Sequence, residues 1–236
     1  MPTTLEVILL PGLDGTGRLF GPFVKALPSH LKASVVAYPA DVPETYSELA
    51  TRVRKALPPD RPFAIVAESF SGPVAIEVAA TKPGGLKALI LVGTFVQQPV
   101  RFVPAWMRLL VPNCLFRLSP PTWLLRRLVA GDGASEELLL ETRAALRLVK
   151  PAVLASRCSD AMSVNIADRF LQVQVPMLYV TGLRDRLLGQ TTVQELKGLR
   201  PDLEVAPIEA PHFVLQRCPA EAAAVVSRFL ARYGAV

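Results

Sequence analysis

The hexapeptide Ala67-Glu68-Ser69-Phe70-Ser71-Gly72 lies between an apolar run, Phe63-Ala64-Ile65-Val66, and a stretch of helical periodicity opening at Pro73. A serine in this setting sits on a sharp strand-to-helix turn with its hydroxyl presented outward, as a nucleophile requires. The turn tolerates only small residues two positions before and after the serine, and Ala67 and Ser71 occupy them. Pro73 suits the first turn of a helix, where no amide donor is needed. The helix start also brings the positive end of its dipole to the serine. Taken alone, the hexapeptide has an ordinary serine-rich turn as its alternative.

A serine hydroxyl is a weak nucleophile and needs a base within hydrogen-bond reach. The chain has two histidines. His30, in Ser29-His30-Leu31-Lys32, reads as a surface residue of a polar turn. His212, in Glu209-Ala210-Pro211-His212-Phe213, follows the last strand-like run and precedes the last helix-like one. In an open α/β sheet that position is at the carboxyl ends of the strands, where ligands bind. An imidazole acting as a base needs a third group to hold its tautomer. Asp185, in Thr181-Gly182-Leu183-Arg184-Asp185-Arg186, is the candidate; a surface pairing with a neighbouring arginine is its alternative. Asp160 and Asp168 are rivals, but both fall on the predicted helix before that strand. The order serine, aspartate, histidine differs from both protease orders.

An acyl-transfer site also needs donors for a developing oxyanion. The amide of Phe70, directly after the serine, and that of Leu13, in Leu10-Pro11-Gly12-Leu13-Asp14-Gly15-Thr16-Gly17, are the expected pair. Gly12 allows the backbone to approach a substrate oxygen closely. The same loop could be read as a phosphate cradle, but its G-x-x-G-x-G spacing matches neither nucleotide-binding pattern.

The elements that must position these residues alternate. Apolar runs predict buried parallel strands at Leu5–Leu10, Ser34–Tyr38, Phe63–Ala67, Ala88–Val92, Met177–Thr181 and Leu203–Ile208. Amphipathic stretches predict helices at Arg18–Leu27, Thr45–Leu57, Pro73–Thr81, Gln190–Leu199 and Ala220–Tyr233. The alternation predicts a doubly wound α/β sheet in a single domain over 1–236. About eighty residues separate the fourth and fifth strands, far more than the dozen or so a crossover needs. The segment 97–157 therefore reads as a helical lid inserted within the domain, with helical patches at Trp123–Val129 and Glu136–Leu148. Asp160–Leu171 reads as the helix returning to the sheet.

The 236 residues are 51% hydrophobic and 19% charged. No stretch approaches the roughly 20 apolar residues of a spanning helix. The N-terminus lacks the basic flank and apolar length of an export signal, so the expected location is cytoplasmic. Cys114, Cys158 and Cys218 are odd in number and widely spaced, which predicts reduced, partly buried thiols. The net charge is +6, of which 97–157 carries +5 through nine basic and four acidic residues. That charge reads as a solvated face or as a dock for an anionic partner such as acyl carrier protein or acidic lipid. Nothing beyond net charge suggests nucleic-acid binding, and no metal-ligand cluster or cofactor motif is present. Trp106, Met107, Leu109, Leu110, Phe116, Trp123, Leu124 and Leu125 could pack the lid helices or wall an acyl site.

Four elements together, Leu10-Pro11-Gly12-Leu13, Ala67-Glu68-Ser69-Phe70-Ser71-Gly72, Gly182-Leu183-Arg184-Asp185 and Pro211-His212-Phe213, resemble the α/β-hydrolase superfamily over nearly the whole chain. In layout, with a helical lid, the chain is similar to pimeloyl-acyl-carrier-protein methyl ester esterases and related carboxylesterases. The resemblance implies an α/β-hydrolase fold of about six mostly parallel strands with helices on both faces, starting at what would be the family's third strand. It implies a serine hydrolase that cleaves a carboxylic ester or thioester through an acyl-serine intermediate on Ser69, with His212 as base and Asp185 behind it. Its substrate would be a small ester or acyl compound, and the modest size of the lid predicts acyl chains of short to medium length. An acyltransferase using the same residues, or a non-catalytic ligand-binding member of the fold, are the alternatives.

Overall fold

Strands covered on both faces must be apolar on both, and the runs read from the sequence form such strands. The computed structural model describes residues 5–59, 61–99 and 120–233. Six strands, β1 (Leu5–Leu10), β2 (Leu31–Val35), β3 (Phe63–Glu68), β4 (Leu86–Val92), β5 (Met177–Gly182) and β6 (Glu204–Ile208), form one sheet in the order β2-β1-β3-β4-β5-β6. Every pairing is parallel. The order reverses between β1 and β3, and at such a switch point a parallel sheet opens a crevice beyond its strand ends.

Alternate residues of each strand feed two cores. Ile8, Leu10, Ile65, Ala67, Leu89, Leu91 and Tyr179 face helices α2 (Tyr46–Ala56), α3 (Gly72–Ala80), α7 (Ala167–Gln172) and α8 (Gly189–Leu199). Val7, Leu9, Ala64, Val66, Ile90 and Val180 face α1 (Gly21–Ala26), α9 (Val214–Arg217) and α10 (Pro219–Arg232). The sheet is thus doubly wound. Helix α2 starts where expected because Thr45 and Glu48 form a reciprocal capping box.

The long connection between β4 and β5 supplies α4 (Thr122–Leu125, continued by a wide turn over Arg126–Ala130), α5 (Glu136–Arg147) and α6 (Pro151–Ser163). Leu125, Ala130, Ala134 and Leu139 make a small core of their own, against which Phe213 packs. Trp123 is largely exposed, whereas Leu125 is buried. Cys114, Trp106, Met107, Leu109, Leu110 and Phe116 lie outside the described residues. Among the described residues no helix is long and apolar enough to cross a membrane.

Two elements depart from the sequence reading. The second strand is Leu31–Val35 rather than Ser34–Tyr38. It is an edge strand, so it can be partly polar. The apolar run beyond it is buried for another reason: Tyr38 turns under the loop after β1, its N–H donating to Gly15 O at 2.8 Å. Asp160–Leu171 is likewise not one helix. α6 runs past Arg157 to Ser163, and α7 begins at Ala167. Between them Asn165 bridges Gln97, and the Ile166 N–H donates to Val96 O at 2.9 Å, so a strand-like link replaces the helical ladder.

Candidate active site

The turn after β3 is as tight as the sequence demands. Ser69 has φ +49°, and with Lys82 it is one of two described non-glycine residues in the left-handed region. Such a conformation costs on the order of 1–3 kcal/mol and persists only where its surroundings enforce it. Here Thr94 donates its hydroxyl proton to Ser69 O, and a Cβ on Gly72 would collide with that same hydroxyl. Ser71 is fully buried and is more than small. It donates to Pro11 O and accepts from the Tyr38 hydroxyl at 2.6 Å, so it ties the turn to the loop after β1. The sequence reading treated Ser71 only as a size requirement.

Asp185 and His212 reach this turn from the ends of β5 and β6. The N–H groups of Leu183 and Arg184 donate to Ile208 O and Ala210 O at 2.8 and 2.9 Å, which holds the two loops side by side. A Cβ on Gly182 would strike the carbonyls of Ala210 and Pro211, so the close approach depends on glycine there. Asp185 Oδ1 accepts from the Leu187 and Leu188 amides at 2.8 and 3.1 Å. Its Oδ2 lies 2.7 Å from His212 Nδ1, and His212 Nε2 lies 2.9 Å from Ser69 Oγ. An ionised carboxylate can only accept, so this contact puts the imidazole proton on Nδ1 and leaves Nε2 free to accept from the serine. Burial alone would raise the Asp185 carboxyl. The hydrogen bond and charge of His212, with the two amides, outweigh burial and hold it below the ordinary aspartate range.

The other candidates lie elsewhere. His30 is exposed before β2, and Asp160 and Asp168 are on α6 and α7. Arg184 and Arg186, the neighbours that might have claimed Asp185, pair with Glu209 and Asp132.

Ser69 opens into a cavity of about 400 Å³ that Leu13 and Phe70 also line. Leu125, Val129, Leu146 and Met162, from the long connection, wall it with Leu187 and Phe213. A larger open groove of about 670 Å³ between β2 and α2 contains none of these residues. Cys158 borders the cavity, and burial pushes its thiol up to about 12, which makes it unreactive at neutral pH.

Two functional-looking residues escaped the sequence reading. Arg157, one of the nine basic residues of 97–157, is 2% exposed. Its guanidinium donates to Leu13 O, Asp14 O and Pro39 O at 2.9, 2.9 and 2.8 Å. Glu68 is buried beside the serine and accepts from Gln216 Nε2 at 2.9 Å. Burial lifts its carboxyl to about 7; Gln216 and His212 oppose the rise and Asp14 adds to it. A raised folded-state value means that the native protein binds a proton more tightly than the unfolded chain between about pH 4.3, the free glutamate value, and pH 7. The stability this confers is complete below the lower limit and is lost as pH rises through 7. Glu68→Gln removes the buried charge while keeping a partner for Gln216. It is therefore expected to unfold in urea about 1–3 kcal/mol later than the wild type at pH 8, with the difference gone at pH 4. An equal difference at both pH values would mean that the carboxyl is not the titrating group.

Comparison with known proteins fits this frame. No curated relative matches the chain. Among solved structures, a thermophilic esterase from Thermogutta terrifontis superposes with a TM-score of 0.80 at 17% identity, covering 99% of this chain and 92% of that one. Bromoperoxidase from Bacillus anthracis gives 0.79 at 14% identity over 97% and 92%. The enol-lactonase from Burkholderia xenovorans LB400 gives 0.77 at 18% identity over 97% and 92%. Identities this low speak for the fold alone. The family model for the alpha/beta hydrolase family matches residues 7–225, which takes in the turn at Ser69, the loop of Asp185 and the loop of His212. By that match, and by a sheet and helix layout in keeping with it, the chain belongs to the alpha/beta hydrolase family.

Proposed function

We propose that the protein hydrolyses a carboxylic ester or thioester through an acyl-serine intermediate on Ser69. The observation that carries this reading is the chain of contacts from Asp185 Oδ2 through His212 to Ser69 Oγ, 2.7 and 2.9 Å, with His212 and Ser69 lining an apolar cavity. His212 Nε2 takes the hydroxyl proton as Ser69 Oγ bonds to the acyl carbon, and the carbonyl oxygen becomes an oxyanion. The Leu13 and Phe70 amides stabilise that charge. The tetrahedral species then expels the alcohol or thiol, which leaves with the proton held by His212. Water enters, gives its proton to His212 and attacks the acyl carbon; collapse returns the proton to Ser69 and releases the acid. Asp185 remains ionised throughout and stabilises the imidazolium.

The segment 97–157 acts as a lid, since its helices supply much of the cavity wall. The apolar walls and the modest volume favour an uncharged acyl group of short to medium length. A free small ester is favoured over an acyl group carried on an anionic partner. Arg157 of the lid points inward, so one of its nine basic side chains adds nothing to the exposed positive surface.

The test is labelling by a fluorophosphonate probe with mapping of the adduct, followed by a series of nitrophenyl esters. Labelling at Ser69 and a kcat/KM maximum between short and medium chains are expected. A folded protein that takes no label and turns over no ester in the series would point to the ligand-binding alternative.

A further inference from the structure

Arg157 lies in the middle of α6, outside the Ser69, His212 and Asp185 contacts, yet it is among the largest fully buried side chains of the described residues. A buried guanidinium is expected to face a carboxylate. The hydrogen bonds of this one run to three main-chain carbonyls, of Leu13, Asp14 and Pro39. Two of these belong to the loop after β1 and the third to the loop after β2. The Tyr38 ring lies under the guanidinium, 5.7 Å from its centre. Gly15, at φ +69°, leaves the room: a Cβ there would come within 2.5 Å of Nη1.

The other carbonyls of the same loop are also held. Pro11 O accepts from Ser71 Oγ, and Gly12 O accepts from the Gly15 N–H at 3.0 Å. In a trans peptide the C=O and N–H point in opposite directions. Anchoring the carbonyls from Pro11 to Asp14 therefore settles where the amides between them point. The Leu13 N–H shares its peptide with the Gly12 carbonyl, which the Gly15 N–H holds, and the Gly15 N–H shares its peptide with the Asp14 carbonyl that Arg157 holds; Leu13 borders the cavity next to Ser69. The fork geometry of arginine suits several carbonyls at once, which the single ammonium of lysine does not.

We propose that Arg157 is a positioning residue for the oxyanion site: by gathering the Leu13, Asp14 and Pro39 carbonyls it orients the loop that presents the Leu13 amide, and it makes that orientation depend on the seating of α6. This rests on the ester-hydrolase reading above. The loop amide contributes only where negative charge develops, so a loop held loosely weakens transition-state binding and leaves ground-state binding nearly intact.

The test compares wild type, Arg157→Lys and Arg157→Ala on one nitrophenyl ester, with active sites counted by end-point fluorophosphonate labelling. Affinity is measured in parallel for a trifluoromethyl ketone, which forms a hemiketal oxyanion on the serine, and for the matching methyl ketone. Both variants are expected to lose about 10- to 100-fold in kcat per labelled site with KM within about threefold, short of the 10²–10³-fold typical of deleting an oxyanion donor outright. Trifluoromethyl ketone affinity should fall in step while methyl ketone affinity holds. Millimolar methylguanidinium should restore part of the kcat of Arg157→Ala and none of that of Arg157→Lys, whose ammonium still fills the site. Three results would overturn the proposal: kcat per labelled site within twofold of wild type in both variants, equal losses for the two ketones, or recovery of no folded Arg157→Lys protein, which would assign the residue to fold stability alone. A wild-type protein that takes no label and turns over no ester would instead remove the hydrolase reading on which the proposal stands.

Discussion

Ser69→Ala is expected to lower kcat on an aryl ester by about 10⁴-fold or more, with the melting temperature within a few degrees of wild type. In activation free energy that is about 5 kcal/mol or more. The loss is expected to be so large because in the proposed mechanism Ser69 Oγ forms the covalent bond; neither the cavity nor the amides could replace it, although they would sustain a small residual rate. Little stability should be lost, because the hydroxyl is partly open to the cavity and the Thr94 bond that holds the turn goes to the main-chain oxygen of Ser69. Purified variant assayed for burst and steady-state release of nitrophenol, alongside probe labelling, checks this. Turnover within tenfold of wild type would place the nucleophile elsewhere.

Asp185→Asn comes next in size, with kcat expected to fall about 10³- to 10⁴-fold. The mechanism differs. Asparagine is nearly isosteric, and its oxygen would keep the Leu187 and Leu188 amides that Oδ1 now accepts. Its NH₂ group would then face His212 Nδ1, where Oδ2 now sits at 2.7 Å. Facing a donor, Nδ1 must accept, so the ring proton moves to Nε2, which can no longer take the proton of Ser69. The loss should fall on kcat far more than on KM. The variant should also be less stable than wild type at neutral pH. A carboxyl held below its ordinary range stabilises the folded state above its unfolded value near 3.9, and this contribution is lost as pH falls through the lower folded value. The stability gap between variant and wild type should therefore narrow in acid. Urea titrations at pH 7 and pH 3 measure it, and a gap that widens in acid would contradict the sign of the shift.

Ser69, Asp185 and His212 were legible because each sits at a strand end whose apolar run is unmistakable, and strand ends of a parallel sheet gather on one rim. The 143 residues between Ser69 and His212 were no obstacle, since topology supplies the proximity. That Leu13 and Phe70 lie beside Ser69 was legible for the same reason, as they follow β1 and β3. The edge strand at Leu31–Val35 was not, because its exposed face dilutes the apolar signal and Tyr38, buried for a different purpose, extends it past the true end. The single helix expected over Asp160–Leu171 failed where a bridge from Asn165 to Gln97, nearly seventy residues away in sequence, interrupts it.

By itself the sequence determined the alternation of strands and helices, the sharp turn at Ser69 and the rim on which Ser69, Asp185 and His212 meet, because periodicity and small-residue spacing are local properties. Tertiary structure alone decided that Arg157 is an internal anchor and not a surface charge, that Ser71 holds Pro11 as well as fitting the turn, and that burial lifts the Glu68 carboxyl to about 7. The meaning of a charge or hydroxyl depends on which distant groups desolvate it and which accept its protons, and no spacing within a chain records those partners.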